Sequence, residues 1–116
     1  MKLEQARTFA LSLPGSNEEP HFHFSSFRVC GRIYATVPPE GTILHIFVPE
    51  EHRERALVLE PETTEKLFWG AKAIGVRVHL PKARKTFVEE LLRNAWAHKS
   101  AKGPAKPRKP RSKRGA

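Results

Sequence analysis

The stretch "EEPHFHFSSFRV", Glu18 to Val29, places two histidines two residues apart between phenylalanines. If it is a strand, His21 and His23 point to one side, a spacing that provides two metal ligands. A metal site needs a third and a fourth ligand, and only His45 and His79 are candidates for the same face. The simpler expectation is that Phe22 and Phe24 face the core while both histidines face solvent. Iron handling by hard ligands calls for a dense patch of carboxylates, and the chain has no aspartate anywhere. Cys30 is the only cysteine. No nucleophile signature surrounds it, and no internal disulfide can form, which fits a reducing cytoplasm. Ser25 and Ser26 lack a Gly-x-Ser-x-Gly elbow. There is no Walker A loop and no Gly-x-Gly-x-x-Gly. A protein without enzyme activity, metal or cofactor is expected.

Charge carries a stronger signal. The 116 residues hold 21 Lys and Arg against 12 Glu, a net charge of +9. Eight of those cations lie between Lys99 and Ala116, a segment with no acid. The remaining 13 cations nearly balance the 12 glutamates. "SAKGPAKPRKPRSKRGA", residues 100 to 116, has no large apolar residue, three prolines and mutually repelling charges, so it is expected to be a disordered tail on a domain spanning 1–99. No apolar run approaches the roughly 18 residues of a membrane span. The first residues do not form a secretory signal, and a cytoplasmic protein is expected.

The elements that would position these residues follow from periodicity. Leu3, Ala6, Phe9, Ala10 and Leu13 recur at helical spacing until Pro14-Gly15. Residues 20 to 48 read as four strands: "HFHF", "FRV", "RIYATV" and "TILHIFV". "PEEHRERALVLE" is a short helix opened by Pro49. "AIGVRVHL" is a last strand with Ile74, Val76, Val78 and Leu80 on one face. "TFVEELLRNAWAHK" is the strongest helix, with Thr86 and Glu89 as a capping box and Phe87, Val88, Leu91, Leu92, Ala95 and Trp96 as its buried stripe. Hairpin-linked strands between terminal helices predict an α+β domain: an antiparallel sheet of about five strands with the N- and C-terminal helices on one face.

Parity sets the expected hairpin between the second and third strands. Pairing Val29 with Ile33 keeps Phe27, Val29, Ile33, Ala35 and Val37 in the core and leaves Cys30-Gly31-Arg32 as a three-residue loop. The open face of the sheet would then carry His21, His23, Arg28, Tyr34, His45, Arg77 and His79. It would offer cations, one aromatic stacking surface and no carboxylate.

The order and spacing of "LP", "EEPHF", "SFRVCGRIYATV", "LFWGAKAIGVRVHL" and "LLRNAW" resemble the YjbR/MmcQ-like family of small bacterial proteins. The resemblance runs from about Leu3 to Lys99. It implies a CyaY-like fold, an antiparallel sheet with both terminal helices on one face. Members are commonly described as DNA-binding, and the resemblance supplies no catalytic motif. The matching residues, including Phe27, Val29, Gly31, Trp69, Gly70 and Trp96, read as architecture.

The function expected is therefore that of a non-enzymatic DNA-binding protein, with RNA as the related possibility, making largely sequence-independent phosphate contacts. The domain would contribute Arg28, Arg32, Tyr34, Lys72, Arg77, Lys82, Arg84 and Lys85. The tail would contribute Lys102, Lys106, Arg108, Lys109, Arg111, Lys113 and Arg114. The alternative is a protein-interaction module that uses the open sheet face. No small-molecule substrate or membrane partner is indicated, and a monomer is expected.

Overall fold

The computed structural model describes residues 1–103. Its elements, in chain order, are α1 (Leu3–Ser12), β1 (Ser16–His21), β2 (Phe24–Val29), β3 (Arg32–Val37), β4 (Ile43–Ile46), α2 (Glu50–Leu59), β5 (Thr64–Trp69), β6 (Lys72–His79), a single 3₁₀ turn (Leu80–Lys82) and α3 (Lys85–Ala101). The six strands form one sheet in the order β1-β2-β3-β4-β6-β5, with every neighbouring pair antiparallel. The α+β expectation holds, with six strands in place of about five. The helices cover one face. Ala6 and Ala10 of α1, Ala56 of α2, and Phe87, Val88, Leu91, Leu92 and Ala95 of α3 join Phe27, Val29, Leu44, Val76 and Val78 of the sheet in one buried cluster. Burying each large member stabilises the fold by about 1.5–3 kcal/mol before the cost of ordering it.

Both sheet edges escaped the periodicity argument. β1 reads "SNEEPH", charged and interrupted by Pro20. Proline is tolerated there because an edge strand pairs on one side only. β5, "TEKLFW", is the other edge. His21 and His23 do not share a strand face: His21 ends β1 and pairs with Phe24, so Phe22 and His23 form the hairpin turn. Phe22 adopts φ 60 and is 89% exposed, the reverse of a core residue.

The hairpin between β2 and β3 is also rephased. Val29 pairs with Arg32, which leaves Cys30-Gly31 as a two-residue turn with both φ values positive, the geometry that suits a twisted hairpin. A bulge then corrects the parity. Phe27 pairs with Ala35 and Arg28 with Ile33, so Tyr34 is the extra residue. The bulge places Ile33 on the open side and turns Tyr34 into the core at 0% exposure. The phenol donates to the Ala10 carbonyl at 3.2 Å and lies 3.0 Å from the Ser16 hydroxyl. A second bulge, at Ile74, turns that side chain out of the predicted buried row.

Gly75 is required by close approach. A Cβ there would lie 2.0 Å from the Ile46 carbonyl oxygen, where β4 leaves the sheet against β6. α3 carries the ordered chain past Lys99 to Ala101, and its cap is Arg84, without the Thr86–Glu89 box.

Candidate nucleic-acid interface

The fold sorts the predicted cations into three places. The strand directions put the Cys30-Gly31 turn, the Gly70-Ala71 turn and the C-terminus of α3 at one end of the sheet. Arg32, Lys99 and Lys102 gather there, and Lys72 stands at the same end beside the Gly70-Ala71 turn, two strands from Arg32. The Arg32 Nε–H donates to the Gly103 carbonyl at 3.1 Å, which ties the β3 start to the end of α3. Among the described residues none of these four cations makes an ion pair. Desolvation, then the charges of Lys102 and Arg32, hold the Lys99 ammonium below its ordinary pKa. Desolvation followed by Lys102, Lys99 and His52 does the same to His98. Like charges gathered at one point of the surface raise the local positive potential. Cations at a helix C-terminus also favour the helix dipole, but Arg32 belongs to a different element. The sequence reading counted Lys99 as a tail cation without assigning it to the site. Its place on the last turn of α3, opposite Arg32, is visible only once α3 is docked.

Lys82, Arg84 and Lys85 lie at the opposite end, where β6 leads into α3. Arg84 is held by Glu60, its Nε donating at 2.7 Å. Lys82 and Lys85 are exposed. This end is separate from the first.

The open sheet face differs from its expected character. Arg28 donates to the Ser26 hydroxyl at 2.9 Å and lies 3.8 Å from Glu19. Arg77 lies 3.6 Å from Glu65, which His79 meets at 2.9 Å. Carboxylates therefore stand on this face. The hydrogen bond from His79 keeps the Glu65 carboxyl below its usual range against desolvation, with the Arg77 charge adding a lesser pull in the same direction. Tyr34 is removed to the core. In its place the face has a cleft of about 460 Å³ lined by Phe22, Phe24, Ile33, Leu67, Phe68 and Trp69, with His21, Thr36, His45, Phe47 and Ile74. Trp69 is 79% exposed and Phe68 56%. The sheet's twist brings the Phe22 turn of one edge and Trp69 of the other, at diagonally opposite corners, around the same cleft. His45 lines this cleft, and its Nε2 is buried without a partner among the described residues; Arg77, whose Nε also lacks one, lines the neighbouring depression instead. Desolvation, then the Arg77 charge, lowers the His45 pKa against the pull of Glu40, so its ring favours the neutral form.

Lys106, Arg108, Lys109, Arg111, Lys113 and Arg114 lie outside the described residues. Among the described residues no three His, Cys, Asp or Glu side chains cluster as a metal site, and no helix is long and apolar enough to cross a membrane.

A six-stranded antiparallel sheet backed on one face by three helices, with its other face open, defines a small α+β scaffold. The chain belongs to the YjbR family, whose model matches residues 11–98. Its fold is similar to the crystal structure of Deinococcus radiodurans protein DR2400, which carries a DUF419 domain: TM-score 0.76, 24% identity, covering 98% of this chain and 88% of that one. No curated protein matches the chain.

Proposed function

We propose that this protein binds nucleic acid through phosphate contacts made at one end of the sheet and continued by the C-terminal segment, without enzymatic activity. The observation that supports this most is the cluster of Arg32, Lys99 and Lys102, which makes no ion pair among the described residues and in which burial, then the neighbouring cations, depress Lys99. It leads in sequence directly into six further Lys and Arg with no acid. Phosphates would relieve that repulsion and release counterions, giving affinity that is insensitive to base sequence and steeply salt-dependent. Lys82 and Lys85 are left out of the proposed site because they occupy the opposite end. Arg28 and Arg77 are left out because each has a glutamate beside it.

Fluorescence anisotropy with a labelled duplex tests this. If about six phosphates are engaged, log K falls with log salt at a slope of about −5. The chain ended after Gly103 binds more weakly and with a shallower slope. A full chain that does not bind duplex or single strand at low salt refutes the proposal.

The second reading, a protein-interaction module, is favoured by the exposed Phe22, Phe68 and Trp69. Large aromatics gathered on an open sheet face are unusual for a surface with no partner. A cytoplasmic location belongs with either proposal.

A further inference from the structure

We propose that the aromatic cleft on the open sheet face is a stacking site for unpaired bases, so that the preferred nucleic acid is a single strand. This rests on the phosphate-binding reading above and adds a substrate class to it.

Three features of the cleft point to bases in particular. Its exposed walls are flat π surfaces: Trp69, Phe68 and Phe22 are the three large aromatics left open to solvent among the described residues. Bases of any identity stack on such surfaces. Its floor is not purely apolar. His45, which lines it, has its Nε2 without a partner, and an unsatisfied polar group within apolar walls marks a site for a ligand with both a ring face and a polar edge. A ring nitrogen on a neutral imidazole can donate or accept, which matches the mixed edge of a base. An apolar peptide or lipid chain would leave that nitrogen unsatisfied, whereas the edge of a base can pair with it.

The third feature is continuity of charge. Lys72 pairs with Trp69 across the β5–β6 turn, so a cation stands at the cleft mouth. Ile33 lines the cleft on one side of β3, and Arg32, the preceding residue, lies on the helix side with the Gly103 carbonyl. The cationic end and the cleft thus meet at the tips of two hairpins. A strand with bases in the cleft would carry its phosphates past Lys72 toward Arg32, Lys99 and Lys102. A duplex hides its base faces and can use only the cationic end.

Direct competition on the full-length protein decides the matter. At one fixed salt concentration, affinities are measured for a twelve-residue oligothymidylate, an abasic oligomer of equal length and a duplex. The expected result is that the oligothymidylate binds at least about tenfold tighter than the abasic strand, since a stacked base contributes about 1–3 kcal/mol. In the double variant Trp69→Ala with Phe68→Ala that ratio falls to near one. Both side chains are exposed, so the variant is expected to fold, and its thermal melt verifies this. Trp69→Phe restores part of the ratio. Equal binding of abasic and thymidine strands by the wild type overturns the base-stacking inference while leaving the phosphate reading intact. Binding of none of the three overturns both. A dimer in sedimentation that the double variant dissociates also overturns the inference, because a second copy then covers the cleft.

Discussion

The cationic end of the sheet and the aromatic cleft beside it meet at the same hairpin tips but depend on different physics. The end is assembled from side chains that repel one another: Arg32 at the start of β3, Lys99 on the last turn of α3 and Lys102 just after it. Its attraction for phosphate is long-ranged, additive and screened by salt. The cleft is assembled from the sheet itself. Two bulges, at Tyr34 and Ile74, and one glycine of close approach set which side chains line it. Its recognition is short-ranged and depends on shape. On the proposed reading the end would supply affinity for any polyanion, and the cleft would supply discrimination. Substitutions should separate the two.

The largest effect is expected from Gly75→Ala. The added methyl would meet the Ile46 carbonyl, and separating β4 from β6 would cost about 3 kcal/mol or more. Chemical denaturation measures the loss. The cleft is distorted in the same variant, so base preference falls with stability, while electrostatic binding by whatever remains folded persists. An unchanged denaturation midpoint would contradict the close approach. Next comes the double variant Trp69→Ala with Phe68→Ala, which costs about 1.4 kcal/mol of base preference, equivalent to tenfold, yet shifts global stability little because both side chains are exposed.

Tyr34→Phe removes a hydroxyl hydrogen-bonded to Ala10 and Ser16, and a loss of about 1 kcal/mol is expected by denaturant titration. Because the ring is buried against the helices, nucleic-acid affinity should not move. A drop in affinity without a drop in stability would return Tyr34 to the surface.

The smallest effect compares two histidines, His45 in the cleft and His98 at the cationic end. Both are held below the ordinary value of 6.5. The unfolded chain therefore binds their protons first, so their contribution is intact above pH 6.5 and is lost as pH falls through that value toward their lower folded values. Melting temperature should decline from pH 7.5 to 5, and His45→Gln and His98→Gln should each flatten part of the decline. A melting temperature independent of pH over this range would contradict both environments.

The helices, the fold class and the central strands were legible in the sequence because their apolar periodicity is strong: the α3 stripe from Phe87 to Ala95 and the alternation of Phe27 with Val29 are buried as read. The two edge strands were not, because an edge strand tolerates charges and Pro20, which erase the pattern. The bulges were also invisible. Parity alone rejected the two-residue Cys30-Gly31 turn, since it put Arg32 opposite Val29, and one extra residue at Tyr34 repairs that mismatch. The same residue explains why the expected stacking tyrosine is in the core, while Phe22, Phe68 and Trp69, read as core or architecture or left unassigned, form the exposed aromatic surface. Charge was legible as composition but not as placement. Only the docking of α3 separates Lys82, Arg84 and Lys85 from Lys99 and Lys102.

The claim that the cationic end drives binding is tested most directly by duplex affinity across a salt series, comparing the full chain with its Arg32→Ala, Lys99→Ala, Lys102→Ala triple variant. The account predicts weaker binding at every salt concentration and a slope of log K against log salt shallower by about three, one phosphate contact for each lost cation. Identical affinity and slope for the two proteins would contradict it.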